Sequence, residues 1–296
     1  PMSTTNLVHN QRAPQKDHQH NHRPRKARKH RRWSSPATIL SLIVLAIAAL
    51  WAIVPGIFAP HDPYNGVDVA LLAPNGEYIF GTDAVGRDLF SRVVYGARQS
   101  LLGALIAVAV GLVLGTLIGL IAGTRRGWVE TVLMRLVDVL LAIPGILLSL
   151  SIIIVTGFGS LQAAFAVGMT SVATFARLAR SQVIQIANAD FVEAAYGSGA
   201  TQAQVLFRHV LPNSLTPVLA LAALQFGTAI LQLSILGFLG YGAPPPTPEW
   251  GLLIAEGRDF MATAWWLILL PGLAIVATVM SANHLSQVIQ QEGDVK

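Results

Sequence analysis

The sequence predicts an all-α polytopic membrane protein with about six transmembrane helices and both termini in the cytoplasm. Three observations predict this class. Of 296 residues, 53% are hydrophobic and only 12% are charged, with a mean hydropathy of +0.56; soluble domains carry about 25% charged residues. No charge occurs between Trp33 and Pro60, or between Arg98 and Arg125. Stretches of that length can cross a hydrocarbon core about 30 Å thick, which takes about 20 helical residues. Finally, Lys and Arg collect on one side of successive spans, as they do in cytoplasmic loops.

Residues 1–34 hold nine Lys and Arg against one acid, Asp17, whereas the other 262 residues hold eleven against fourteen acids. The pI of 9.9 therefore belongs to a basic tail and does not point to a nucleic-acid partner. The tail reads as a disordered cytoplasmic segment drawn to anionic membrane lipids. Its His18, His20 and His22 form a weak alternative metal site through neutral imidazoles. Pro1 before Met2 is set aside as a remnant. The chain has no cysteine, which removes disulfides and thiol chemistry.

The first span runs from about Pro36 to Phe58. It exceeds a signal-peptide core, and no A-x-A site follows it before Pro60. The second runs from about Ser100 to Ala122, the third from Val132 to Val155 and the fourth from Leu161 to Leu178. The fifth runs from Leu215 to Leu239, and the sixth from Ala264 to Val279 or slightly beyond, with Pro271 inside it. Loop 59–99 has three Arg and five acids, so it is expected outside. Arg125, Arg126 and Arg135 place the next connection inside. Arg177, Arg180 and Arg208 do the same for the loop 181–213. Glu249, Glu256 and Asp259 outweigh Arg258 after the fifth span, so that loop is expected outside. The membrane domain then covers 35–290, with a short cytoplasmic end at 291–296.

The second span carries Gly103, Ala107, Gly111, Gly115, Gly119 and Gly123, each four residues apart. Such a ridge lets another helix backbone approach closely, so it reads as packing. Asp138, early in the third span, is expected to pair locally with Arg135. Segment 80–98 interleaves Asp83, Arg87, Asp88, Arg92 and Arg98 with apolar residues. This suits an amphipathic helix at the outer interface, with Asp83 near its start. The loop 181–213 is long for a mere connection. It reads as a short helix from Phe191 to Tyr196, a glycine break at Gly197 and Gly199, and a second helix from about Thr201 to His209 ended by Pro212. A short amphipathic helix at a membrane surface can dock into a groove on a partner. No G-x-x-x-x-G-K-[ST] phosphate loop, H-E-x-x-H or G-x-S-x-G is present. The chain is accordingly expected to lack catalytic residues, and to be no enzyme by itself.

The residues Glu193, Ala194 and Ala195, then Gly199, and later Leu211 and Pro212 resemble the E-A-A-x3-G-x9-I-x-L-P loop of bacterial ABC-importer permeases. His209 stands where that family usually has Ile. The stretch FGTDAVGRDLFSRVVYGAR (80–98) is similar to a signature of the dipeptide/oligopeptide/nickel permeases. So are Leu236–Ala243 and Pro245–Gly251. The likeness covers about 35–280 and is closest to the second, C-type permease of the pair. The chain departs from the family near its end, where Asn283 is followed by HLSQV.

The resemblance implies a type I ABC-importer permease fold in a bacterial inner membrane. It implies that Glu193, Ala194, Ala195, Gly199, Leu211 and Pro212 couple the chain to an ATPase. Expected partners are a homologous permease in a heterodimer, two cytoplasmic ATPase subunits and a substrate-binding protein. ATP and Mg would sit on the ATPase subunits and no cofactor on this chain. Asp83, Gly86, Arg87 and Asp88 would border the outer entry. Thr170, Thr174, Gln225 and Gln232 are the candidates to line the path of a short peptide. Nickel or a metal–metallophore complex is the alternative cargo. An ion-coupled secondary transporter and a membrane enzyme are the alternatives of another class. The first predicts inverted repeats and buried acids, and the second a catalytic constellation at one membrane face.

Overall fold

The structure, a computed structural model, describes residues 35–66 and 68–293. The basic tail, with His18, His20 and His22, lies outside the described residues. Among the described residues helices dominate, and one isolated bridge joins Thr82 to Asp88.

Helix α1 spans Pro36–Ile53. Ser35 caps it by accepting from the Thr38 amide at 3.2 Å, and Pro36 fits a first turn that needs no amide partner. Pro55 cannot continue the ladder, so the chain turns into a short α2, Pro55–Phe58. The described residues of 59–88 then form a cap over one end of the bundle. Helix α3, Leu89–Thr124, starts where Asp88 accepts from the Ser91 amide at 3.0 Å. Its 36 residues extend about 54 Å, so its first turns stand in the cap and the rest forms the second span.

This corrects the amphipathic helix expected over 80–98. Gly81 and Gly86 sit at φ +74° and +78°, which helix excludes. The Asp83 carboxylate accepts from the Val85 and Arg87 amides at 2.9 and 3.0 Å, making a tight turn. Asp88, not Asp83, begins the helix, and that helix runs unbroken into the membrane.

The third span is also corrected. It is two helices, α4 (Trp128–Ala142) and α5 (Gly145–Thr156), bent by 98°. Pro144 has no amide to donate and disfavours helical geometry in Ile143 before it, so an elbow forms there. Helix α6 covers Ser160–Ala187 and α7 covers Asp190–Gly197. Helix α8 (Gln202–Val205), a π turn (Leu206–Val210) and α9 (Leu211–Phe238) form one continuous rod. Pro212 therefore does not end a helix, as expected, but sits in the first turn of α9. The Asn213 side chain donates to the His209 carbonyl at 2.6 Å beside it. The loop predicted over 181–213 is correspondingly mostly helical. Helix α10 (Trp250–Gly257) and a 3₁₀ turn (Arg258–Phe260) precede α11, Trp266–Gly293. Among the described residues five helices are long and apolar enough to span, or six counting the bent pair as one span.

The core lies where α3, α6, α9, α10 and α11 meet, around Leu89, Phe175, Ile230 and Trp250. Helices α3 and α6 form the most extensive pair. A Cβ at Gly115 would lie 2.6 Å from the Val172 carbonyl oxygen, and one at Gly119 would lie 2.6 Å from that of Ala176. Gly111 faces Gly168 and Ser171, and Gly123 faces Val183; Gly168 in turn meets the Ala107 carbonyl. Gly103, at the far end, faces Leu233 of α9 instead.

Candidate functional site

Helix α7 stands at the end of the bundle opposite the cap. Val192 is buried with Val183, Val205 and Val210, and Ala195 packs against them. Phe191, Glu193, Ala194 and Tyr196 face outward. The Glu193 carboxylate has no partner among the described residues. Its helix ends in a two-bond stop. The Gly199 amide donates to the Tyr196 carbonyl at 2.9 Å, and the Ala200 amide to that of Ala195 at 3.1 Å. Gly199 sits at φ +87°, the left-handed position this stop requires of glycine. The next helix starts two residues on. Thr201 and Gln204 cap each other, with the Thr201 amide 2.9 Å from Gln204 Oε1. Leu211 is half-buried and Pro212 exposed, both in the rod that leads into α9. The His209 ring lies tilted beside that of Phe191 of α7, with centroids 6.4 Å apart, so an aromatic ring occupies this position in place of an aliphatic chain.

A cavity of about 500 Å³ lies inside the α4–α5 elbow. Thr170 and Thr174 of α6 and Gln225 and Gln232 of α9 all line it, together with Ser171 and Thr228. None of the residues lining it is charged. Gly145 lines it too, and a Cβ there would make ordinary contact with Gln232 Nε2, at 3.6 Å. Sequence reasoning missed Thr228 and the elbow. Thr228 lies between Gln225 and Gln232 at helical spacing, a signal that was present.

Asp138 of α4 and Arg177 of α6, both exposed, are joined at 2.8 Å. The expected Arg135 partner is thus replaced by Arg177 of α6. Glu130 of α4 likewise takes Arg180 of α6, whose Nε donates at 2.7 Å. Each pair crosses between helices because the elbow lays α4 against α6.

In the cap, Asp83, Arg87 and Asp88 turn inward. Arg87 Nε donates to Asp83 at 2.6 Å. Arg92, fully buried, donates to Glu256 of α10 at 2.9 Å and to the Pro63 carbonyl at 3.3 Å. Gly86 turns the chain so tightly that a side chain would strike the Asp68 carbonyl. Arg92 and Glu256 were not singled out as site residues. Nothing local marks them, since their partners are 164 positions apart in the chain.

Glu249 is buried at the start of α10. It accepts from the Gly251 amide at 2.9 Å, the Leu252 amide at 3.0 Å and Ser100 Oγ at 3.2 Å. Burial pushes its carboxyl above the ordinary range, and the two amides and the Ser100 hydroxyl pull partly the other way. Trp250 beside it is fully buried and donates to the Val93 carbonyl at 2.9 Å. Among the described residues no group of three or more His, Cys, Asp or Glu is placed to hold a metal.

A family described as "Binding-protein-dependent transport system inner membrane component" matches residues 115–291. The dipeptide transport system permease protein DppC of Alkalihalophilus pseudofirmus is 40% identical over 258 residues, covering 87% of this chain and 83% of that one. The probable D,D-dipeptide transport system permease protein DdpC of Escherichia coli K12 is 36% identical over 264 residues, covering 88% of each. The glutathione transport system permease protein GsiD of Shigella sonnei is 39% identical, covering 91% of this chain and 88% of its own. Among solved structures, a chain of the inward-facing MetNI methionine ABC transporter superposes with a TM-score of 0.57 at 17% identity. It covers 69% of this chain and 97% of its own length. A chain of an amino acid ABC transporter with histidines gives 0.55 at 16% identity, over 68% of this chain and 94% of that one. At such identities these two speak to the fold, which is that of ABC-transporter membrane chains.

Proposed function

From the premise that this chain belongs to the binding-protein-dependent transport system inner membrane component family, we propose that it is a permease subunit of an ATP-driven peptide importer. The relatives named above are dipeptide and glutathione permeases, which favours a short peptide over nickel or another metal as cargo. Membership likewise disfavours an ion-coupled transporter. The chain works in a bacterial inner membrane with its cap outside and α7 inside, paired with a homologous permease. Two ATPase subunits hold ATP and Mg, and a binding protein delivers the substrate.

The observation that carries this reading is the build of α7. Its inner face is anchored through Val192, and its outer face offers Phe191, Glu193, Ala194 and Tyr196 to a groove on an ATPase. The stop at Gly199 and the cap at Thr201 join α7 rigidly to the rod that continues into α9. Gln225 and Gln232 lie on that rod, so a push on α7 is carried to the cavity. Closure of the ATPase pair on ATP would draw two such helices together and turn the path outward. Hydrolysis would return it. Peptide binding in the path then has to distinguish the two states to influence them.

The test is uptake of labelled peptide by proteoliposomes holding the full complex, with Glu193→Ala and Gly199→Val beside the unaltered chain. Both variants are expected to insert and to lose most uptake. Undiminished uptake by both would remove the coupling assignment.

A further inference from the structure

We propose that the elbow cavity holds the backbone of an extended peptide through neutral hydrogen bonds, reading peptide bonds and not end charges or side chains; this rests on the peptide-importer reading. The cavity of about 500 Å³ is in the range that takes small ligands. Its polar groups are Thr170, Ser171, Thr174, Gln225, Thr228 and Gln232, all uncharged. A carboxamide carries donors and an acceptor together, the same pair that a peptide bond presents. Gln225 makes no side-chain hydrogen bond among the described residues. Gln232 has one long contact, 3.4 Å from its Oε1 to the Thr170 hydroxyl, and its Nε2 has none. That hydroxyl already donates to the Val167 carbonyl at 2.7 Å. Both carboxamides therefore keep capacity for an occupant.

Their spacing fits a short extended chain. Seven residues of α9 rise about 10 Å, and an extended peptide advances about 3.3–3.6 Å per residue. The two carboxamides thus sit about three residues apart on such a chain, with the Thr170 hydroxyl of α6 beside Gln232. A charged terminus inside would lack a counter-ion, which is costly away from water. Asp138 and Arg177, on the α4 and α6 helices that line the cavity, pair with each other at 2.8 Å and together carry no net charge. This arrangement lets peptides of different side chains pass, and penalises loss of backbone donors.

The experiment uses the complete complex in proteoliposomes. The probes are trialanine, its peptide-bond N-methylated form, and Ala-Lys-Ala and Ala-Glu-Ala, with uptake corrected for each probe's separately measured affinity for the binding protein. The unaltered complex is expected to carry the two charged peptides within about threefold of trialanine. N-methylation is expected to cost about tenfold, the equivalent of one hydrogen bond to a partly buried group. Gln225→Leu with Gln232→Leu is expected to lower trialanine uptake about tenfold and to close the gap between methylated and unmethylated probes. Equal uptake of the methylated and parent peptides by the unaltered complex would overturn the subsite, as would an undiminished gap in the double variant. Failure of the unaltered complex to take up any of the four peptides would overturn the peptide reading itself, and the subsite with it.

Discussion

The Ala200 amide donates to the Ala195 carbonyl at 3.1 Å, closing α7 across the left-handed Gly199. The bond fixes the junction between an exposed surface helix and the rod that reaches the cavity. A non-glycine residue at this φ costs about 1–2 kcal/mol, and a β-branched one more. Gly199→Val is expected to leave membrane insertion intact and to cut peptide uptake at least tenfold. Normal uptake with normal amounts of inserted protein would argue against a role for this turn.

Gly119 and Ala176 pack backbone against backbone. Gly119→Ala is expected to lower the melting temperature in detergent, with an overpacking cost of about 1–3 kcal/mol. Gly272 of α11 is the control, because a Cβ there meets nothing within 4 Å. Gly272→Ala should match or slightly exceed the unaltered chain, as alanine is the better helix former. Equal melting shifts in the two variants would show that the α3–α6 approach is not tight.

Arg92 is buried while Glu256 keeps its side chain 24% exposed. Removing one partner of a fully buried pair costs about 3–5 kcal/mol, and partial solvent contact reduces that here. Arg92→Met is expected to destabilise by about 2 kcal/mol, since the Pro63 carbonyl also loses a donor. Glu256 retains Arg87, at 3.4 Å. In a double-mutant cycle with Glu256→Gln, the combined loss should fall short of the sum. Strict additivity would mean that the contact contributes nothing.

Glu249 gives a pH prediction. Its carboxyl is raised above the ordinary value of 4.5, so between that value and its raised one the folded chain binds more protons than the unfolded. Its contribution to stability therefore falls as pH rises through this window, and is largest below it. The melting temperature of Glu249→Gln, followed from pH 4 upward, should lose that downward component relative to the unaltered chain. Parallel pH curves would contradict a raised carboxyl at this position.

Much of the architecture was legible because lipid acts locally. Each spanning helix must satisfy its own backbone bonds and show apolar surface, so windows of composition reveal it wherever it lies in the chain. The stop at Gly199 and the capping pair Thr201 and Gln204 are local in the same sense, each closing within a few residues. The ridge from Gly103 to Gly123 could be read as a packing surface from spacing alone, although its spacing does not say which helix meets it.

Other features depend on packing between distant segments. Pro144 could have been a mild kink, and only contact of α4 and α5 with α6 made it a 98° elbow around a cavity. Pro212 looked like a stop, yet the π turn before it carries the rod onward. Asp138 chose Arg177, 39 residues away, over Arg135 on its own helix. Arg92 and Glu256 found each other through the seating of α10 on α3. Sequence by itself therefore determined which segments cross the membrane and where one surface helix begins and ends. The tertiary structure decided which side chains share a cavity or an ion pair, because those choices follow from how whole helices lean on one another.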